Sequence, residues 1–189
     1  MKNKGRLFVI SGPSGVGKGT VCKLILSRND DIKLSVSATT RTPRTEDTEG
    51  VTYYFKSKTE FEKMIDDAAF LEWAVYNGNY YGTPIAAVEK NLESGISVIL
   101  EIDAQGALEV KKKRPDAVLI FIAPPDKETL FERLKGRGTE GEEEIAKRIA
   151  AADWELSQME KYDYTVVNDD LNTAVINIEN IMKSEKEKM

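Results

Sequence analysis

Short and almost continuous apolar runs alternate along this 189-residue chain with segments of helical periodicity. Strands that are covered on both faces have this continuous apolar composition, which indicates a parallel sheet. Helical patterns between the runs predict right-handed crossover connections and therefore an α/β fold. The runs lie at 7–11, 97–102, 117–123 and 164–167, and the helical patterns at 17–27, 84–93, 104–113, 127–134, 142–161 and 171–183.

The alternation breaks down between residues 35 and 82, where short strand patterns surround one predicted helix at 59–67. Asn77-Gly78 between two of them is a hairpin turn signal. Aromatic residues and strand patterning need a core of their own, so we expect a small mixed β subdomain here rather than a long loop. Its strands are predicted at 34–36, 52–55, 70–76 and 79–81.

A second irregular segment, at 135–144, is rich in glycine and charge and almost devoid of apolar residues. This composition is typical of a mobile surface segment, and an ordinary long loop is the alternative interpretation. The Lys/Glu-rich tail from Lys183 is expected to be a fraying helix end.

Composition narrows the chemistry that this chain can perform. It contains no histidine, which excludes Ser-His, Cys-His and His-metal mechanisms. Cys22 is the single cysteine, which excludes an intramolecular disulfide and a structural zinc site built from cysteines. The 27 basic and 32 acidic residues give a net charge of −5, a poor match to a nucleic acid polymer. No apolar run is long enough for a signal peptide or a membrane span, so we expect a cytoplasmic protein.

The first apolar run leads directly into a glycine-rich segment that opens a predicted helix. This strand, G-x-x-x-x-G-K and helix order predicts a P-loop, in which backbone N–H groups and the helix N-terminus face phosphate oxygens. The residue after the lysine is glycine rather than Ser or Thr, so the usual hydroxyl ligand of Mg²⁺ is missing. We expect the metal to be held through water and nucleotide oxygens, and Thr20 to contact a phosphate. The segment reads Gly12, Pro13, Ser14, Gly15, Val16, Gly17, Lys18 and Gly19.

Two arginines in the inserted region indicate a second phosphate site. Arg41 and Arg44 lie three residues apart, and their planar guanidinium groups could clamp a dianionic phosphate near Tyr53 and Tyr81. The chain lacks the Asn-Lys-x-Asp motif of guanine-binding switch proteins, which argues against a Ras-like GTPase.

Further charged residues are candidates for work at the transferring phosphate. Arg133 and Arg148 lie on either side of the irregular segment at 135–144, and Arg137 lies within it. These arginines could neutralise transition-state charge, although scattered arginines often form a solvated face. Glu101 and Asp103 end a buried strand at the edge where α/β sheets bind ligands, which resembles a Walker B position.

With these motifs in place, the chain resembles the guanylate kinases, which are ATP:GMP phosphotransferases, over nearly its whole length. The resemblance implies a P-loop NTPase three-layer parallel sheet core with an inserted mixed β GMP-binding subdomain and a small lid. It also implies ATP and GMP as partners and Mg²⁺, bound with ATP, as cofactor. The motifs that carry it are SGPSGVGKGT, SATTRTPR, EGVTYYF, FLEWA, GNYYGTP, LEIDAQGA, FIAPP, GRGTE and VVNDD.

The same resemblance implies a division of the chain and a role for each matching position. The core takes residues 1–34, 84–134 and 150–189, the GMP-binding subdomain 35–83, and the lid 135–149. Catalytic roles fall on Lys18, Arg41, Arg137 and Arg148. ATP binding falls on residues 12–20 with Arg133 and Asn168. GMP binding falls on Ser37, Arg41, Arg44, Tyr53, Glu72, Tyr81, Thr83 and Asp103.

The chemistry of such a reaction agrees with the absence of histidine. The nucleophile would be a phosphate oxygen of GMP, and a phosphate monoester has a second pKa of about 6, so no general base is needed near neutral pH. Two alternatives remain: a non-catalytic guanylate-kinase-like interaction module, and a kinase for AMP or a pyrimidine nucleotide. An intact P-loop with Lys18 favours an enzyme over the interaction module.

Overall fold

The computed structural model describes residues 4–135 and 142–188 of the chain. In chain order its elements are β1 (Leu7–Ser11), α1 (Lys18–Arg28), β2 (Ile32–Leu34), β3 (Ala38–Thr39), β4 (Tyr54–Phe55), α2 (Lys58–Asp66), β5 (Phe70–Tyr76), β6 (Asn79–Pro84), α3 (Ile85–Glu93), β7 (Ser97–Glu101), α4 (Ala104–Lys113), β8 (Val118–Ala123), α5 (Lys127–Lys135), α6 (Glu142–Ser157), a short 3₁₀ helix (Met159–Lys161), β9 (Tyr164–Val167) and α7 (Leu171–Glu187).

The core is a five-stranded parallel sheet in the order β2-β7-β1-β8-β9, with helices on both faces. The alternation of β1 explains the two helix layers. Phe8 and Ile10 point into a cluster that includes residues of α1 and α7. Leu7 and Val9 point into the opposite cluster, formed with α3 and α4. The predicted three-layer α/β core is therefore confirmed.

A second sheet of four strands, in the order β4-β3-β6-β5, forms the inserted region and mixes parallel with antiparallel pairs. Its core holds Phe61 of α2, whose ring stacks on Phe70 at 4.4 Å and on Tyr80 at 5.1 Å. The predicted hairpin turn is present, because Asn77 and Gly78 both adopt positive φ angles, 47° and 76°. The expected mixed β unit is confirmed.

Several elements differ from the sequence predictions. The strand predicted at 52–55 is only Tyr54–Phe55, and the helix predicted at 142–161 ends at Ser157. The strand predicted at 34–36 within the inserted region is instead Ile32–Leu34, which pairs with β7 as an edge strand of the core. The two-residue strand Ala38–Thr39 was missed because it is too short to show a period. Helix α7 continues to Glu187, because the Glu185 carboxylate accepts a 2.6 Å hydrogen bond from Tyr164 and pairs with Arg6 at 3.0 Å.

Within residues 4–135 and 142–188, no helix is both long and apolar enough to cross a bilayer.

Candidate active site

The P-loop follows β1 at the carboxyl edge of the parallel sheet, between the ends of β7 and β8. Gly12, Gly15 and Gly17 have φ angles of 147°, 85° and 97°, which side chains with a Cβ rarely adopt. The Lys18 ammonium folds back over the loop, donating to the carbonyls of Gly12 and, at 3.2 Å, Pro13. The loop therefore has its strand, its glycines at positive φ and its lysine in place.

Carboxylates surround the Lys18 ammonium and oppose the effect of its burial. Burial lowers the pKa of Lys18, while Glu155, Glu101 and Asp103 favour its charged form. Burial also raises the pKa of Glu155, a residue of α6, against the opposing effects of Lys18 and of the Ser14 backbone N–H. Sequence reasoning missed Glu155, although it lies seven residues after Arg148, a spacing that places two side chains on one face of a helix.

Asn168, predicted near the ATP base, lies behind the P-loop and contacts it directly. Its buried side chain donates a 2.7 Å hydrogen bond to the carbonyl of Val16. A Cβ at Gly17 would approach the Asn168 Nδ2 to 2.8 Å, so only glycine fits there without a shift. Arg133 of α5 donates to the backbone carbonyl of Asn168 at 3.4 Å. These contacts join the end of β9, the P-loop and α5.

Glu101 lies next to the position where other P-loops carry a hydroxyl. A Cβ built on Gly19 would be 3.4 Å from Glu101 Oε1, so the carboxylate faces the start of α1. Among the described residues, no group of three or more His, Cys, Asp or Glu is arranged to hold a metal ion. One carboxylate beside the P-loop fits a hydrated Mg²⁺ whose ligands are nucleotide oxygens and water.

The arginines and tyrosines predicted to bind the second phosphate come together in part. The Arg41 guanidinium lies 5.4 Å from the ring centroid of Tyr53, which in turn contacts the ring of Tyr81 at 5.9 Å. Arg44 is exposed. Asp47, which sequence reasoning missed, accepts hydrogen bonds from the Arg41 guanidinium at 2.8 Å and the Arg44 backbone N–H at 2.7 Å. The sequence feature that could have indicated Asp47 is its position three residues after Arg44, which is the spacing of a turn.

The residues predicted to bind guanine meet between β5, β6 and the start of α4. Thr83 Oγ1 donates a 2.6 Å hydrogen bond to Glu72 Oε1. Burial raises the pKa of Glu72, with the Thr83 hydroxyl opposing the shift and Asp103 adding to it. Asp103 Oδ1 accepts from the Gly106 backbone N–H at 2.7 Å and so caps α4. A Cβ at Gly106 would lie 3.4 Å from both Asp103 Oδ1 and Glu72 Oε2, so the two carboxylates face the same side of this glycine.

A cavity of about 310 Å³ opens between the core sheet and the inserted subdomain. Ser37, Tyr53 and Thr83 line it from the subdomain side, and Glu101 lines it from the end of β7. The cavity therefore lies between the guanine candidates and the carboxylate beside the P-loop.

Other predicted residues lie at the margins of the site. Thr20 is exposed in the first turn of α1, and Arg148 is partly exposed on α6. Arg137 lies outside the described residues.

A P-loop at the carboxyl edge of a parallel sheet, beside a mixed β subdomain with an arginine–tyrosine cluster, is the arrangement of a P-loop phosphotransferase. Comparison with known proteins narrows this class. The family profile described as "Guanylate kinase" matches residues 4–185. The chain belongs to the guanylate kinase family.

Relatives support this assignment over nearly the full length. A guanylate kinase of Caldanaerobacter subterraneus subsp. tengcongensis is 55% identical over 186 residues, covering 98% of this chain and 90% of that protein. A guanylate kinase of Clostridioides difficile is 52% identical over 186 residues, covering 98% and 91%.

Solved structures support the fold. The crystal structure of guanylate kinase from Anaplasma phagocytophilum matches with a TM-score of 0.73 at 35% identity, covering 98% of this chain and 88% of that one. The SH3-kinase fragment of tight junction protein 3 matches with a TM-score of 0.50 at 9% identity, covering 97% of this chain and 58% of that one. At 9% identity the second match supports the fold alone.

Proposed function

We propose that this chain transfers the γ-phosphoryl group of ATP to GMP, giving ADP and GDP. The observation that carries the proposal is the part-buried hydrogen bond between Glu72 and the buried Thr83, beside a cavity that reaches from the inserted subdomain to the end of β7. A carboxylate and hydroxyls suit the edge of guanine, which offers two neighbouring donors, N1–H and N2–H₂, and one acceptor, O6. The family of the chain makes GMP the acceptor to be tested first.

The donor side of the reaction belongs to the P-loop. Residues 12–20 would bind the ATP phosphates, with Lys18 at the β- and γ-phosphates and Asn168 and Arg133 supporting the loop from behind. Lys18, Arg41, Arg137 and Arg148 would neutralise charge at the transferring group, with the first two contributed by the core and the subdomain. Alignment and charge neutralisation supply the catalysis, because the acceptor oxygen is already deprotonated near neutral pH.

Different residues would bind the base and the phosphate of the acceptor nucleotide. The base would contact Glu72, Thr83, Ser37 and Asp103. Ser37 and Thr83 line the cavity between the two sheets, and Glu72 accepts the hydrogen bond of the Thr83 hydroxyl. The phosphate would contact Arg41, Arg44, Tyr53 and Tyr81.

We further propose the division into a core of residues 1–34, 84–134 and 150–189, a GMP-binding subdomain of 35–83 and a lid of 135–149. The core position of β2, which ends at Leu34, supports the first boundary. The proposed lid includes residues outside the described ranges.

Mg²⁺ bound with ATP would supply positive charge and orientation at the phosphates. Glu101 would face the hydrated ion, because its carboxylate lies beside Gly19, where a side chain is absent. Glu101 is therefore expected to accept hydrogen bonds from metal-bound water rather than to bind the ion alone.

The test is a coupled assay of ADP release with ATP and Mg²⁺ against GMP, AMP, CMP, UMP and dTMP. The proposal expects turnover with GMP that exceeds the others by orders of magnitude in kcat/KM. Equal turnover with AMP would assign the chain a different acceptor. Binding of GMP without turnover would favour the interaction module.

A further inference from the structure

Asp47 carries a buried carboxylate directly beneath the arginine cluster of the inserted subdomain. Its side chain is only 6% exposed, although it lies in a surface segment between Thr39 and Tyr54. Its Oδ2 accepts two hydrogen bonds, one from Arg41 Nη2 at 2.8 Å and one from the Arg44 backbone N–H at 2.7 Å. Those two bonds hold the pKa of Asp47 below the usual carboxyl range, so the group is charged at neutral pH.

The Arg41 guanidinium also contacts a backbone carbonyl and two aromatic rings. Its Nη1 donates to the carbonyl of Thr42 at 2.9 Å, and its guanidinium carbon lies 5.4 Å from the Tyr53 ring and 5.8 Å from the Phe55 ring. The Arg41 side chain is 16% exposed. A guanidinium has five N–H donors, so the contacts with Asp47 and Thr42 leave donors for a ligand.

We propose that Asp47 is a positioning residue for the phosphate of the acceptor nucleotide, acting through Arg41. The inference rests on the proposed function, because it takes Arg41 as a contact of the GMP phosphate. Asp47 fixes the plane of the guanidinium before the ligand arrives, so binding does not have to order a long, flexible side chain. Its hydrogen bond from the Arg44 backbone N–H holds the carboxylate in place beside Arg41.

Asp47 acts on GMP binding in two opposite ways. A buried negative charge near an anionic ligand repels it, which alone would weaken GMP binding. A charge-assisted hydrogen bond to a guanidinium orients its remaining donors, which strengthens binding. Since Asp47 contacts Arg41 directly, we infer that the orienting effect exceeds the repulsion.

The experiment compares GMP with guanosine, which presents the same base without a phosphate. Dissociation constants for both are measured by calorimetry on the unaltered chain and on Asp47→Ala. We expect GMP affinity to fall at least about tenfold, the size of one lost charged hydrogen bond. Guanosine affinity is expected to stay within about twofold. A general collapse of the subdomain would weaken both ligands equally and would overturn the proposal, as would GMP affinity that is unchanged or higher.

Two matched variants separate positioning from folding. Asp47→Asn keeps an acceptor oxygen but loses the charge, and is expected to restore part of the GMP affinity that Asp47→Ala loses. Glu49→Ala removes a different loop carboxylate, whose Oε2 accepts from the Phe55 backbone N–H at 2.9 Å, and is expected to bind GMP like the unaltered chain. A loss in Glu49→Ala equal to that in Asp47→Ala would contradict the proposed role.

A double-mutant cycle tests the route through Arg41. If Asp47 acts by orienting Arg41, then Asp47→Ala added to Arg41→Ala causes almost no further loss of GMP affinity. Independent, additive losses would overturn this route. The outcomes also separate the two proposals: a chain that binds no GMP at all contradicts the proposed function, whereas GMP binding that ignores Asp47 contradicts only the inference.

Discussion

The side-chain amide of Asn168 donates a 2.7 Å hydrogen bond to the backbone carbonyl of Val16, and so connects the end of β9 to the P-loop. The Asn168 backbone N–H in turn donates to the carbonyl of Ala123 at the end of β8. A Cβ at Gly17 would come within 2.8 Å of the same side-chain amide. The loop is thus held from the protein side, which leaves its other side for phosphates.

Replacing Asn168 by alanine is expected to weaken ATP use more than GMP use. The Val16 carbonyl would lose its partner at a buried site, a cost of about 1–3 kcal/mol. Part of that cost should appear as at least a fivefold rise in KM for ATP, with KM for GMP nearly unchanged. Steady-state kinetics with each substrate varied in turn provides the measurement.

The control for this change is Asn172→Ala, because the Asn172 side chain accepts an exposed hydrogen bond from Arg28 at 3.2 Å on the surface. Equal rises in the two KM values for Asn168→Ala would mean that the whole site is disturbed and not the P-loop in particular.

Local motifs were visible in the sequence, and contacts between distant segments were not. The P-loop occupies consecutive residues whose glycines, lysine and flanking strand are all visible together. The contact between Asn168 and Val16 joins positions 152 residues apart, and no local pattern marks it. The resemblance named Asn168 for a role near the ATP base, and that role stays a prediction.

The inserted subdomain also contains features that the local sequence pattern does not reveal. Asp47 lies in Thr-Glu-Asp-Thr, which looks like a solvated loop, and only its contacts reveal a buried carboxylate. Strand Ala38–Thr39 has two residues, fewer than a period of two can reveal. Predicting the mixed sheet succeeded because β5 and β6 are longer and share a recognisable turn.

Lys18→Ala is expected to abolish most turnover and leave the fold intact. The ammonium donates hydrogen bonds to the carbonyls of its own loop, Gly12 and Pro13, and its burial already lowers its pKa. Removing a desolvated charge costs the fold little, so Tm should change by no more than a few degrees. Loss of positive charge at the migrating phosphoryl group should reduce kcat by at least about 10²-fold.

The matched control is Lys23→Ala, an exposed lysine on the same helix. It should show the kcat of the unaltered chain. A folded Lys18→Ala protein with near-normal kcat would refute the role of the P-loop lysine.

Glu72→Gln is expected to lower the preference for GMP over AMP and to raise the stability of the fold. Glutamine keeps an oxygen for the Thr83 hydroxyl but places an NH₂ donor opposite the N1–H and N2–H₂ donors of guanine. A site built from such hydrogen bonds can discriminate by about 10⁴-fold, because a wrong base leaves buried polar groups unpaired. The measurement is kcat/KM for both nucleotides on both proteins, and an unchanged ratio would exclude guanine recognition by Glu72.

The stability part of this prediction follows from the sign of the pKa shift. Burial raises the pKa of Glu72, so its ionised form destabilises the fold at any pH above the pKa of the unfolded carboxyl. Glutamine removes that ionisation, so Tm at neutral pH should rise by about 2–4 °C per kcal/mol regained. A lower Tm in Glu72→Gln would show that the carboxylate stabilises the fold.

The raised pKa of Glu72 also predicts how base recognition depends on pH. Guanine needs the ionised carboxylate as an acceptor, and Asp103 and burial both push Glu72 towards its protonated form. As the pH falls through the raised pKa, the carboxyl gains a proton that faces the donors of guanine, so affinity falls. The fall should begin at a higher pH than for an ordinary glutamate, whose pKa is about 4.3.

GMP itself is unsuitable as the probe, because its phosphate titrates with a pKa of about 6. Guanosine removes this complication: its affinity should decrease on acidification in the unaltered chain and stay low and independent of pH in Glu72→Gln. A guanosine affinity that does not change with pH in the unaltered chain would mean that the ionisation of Glu72 plays no part in binding the base.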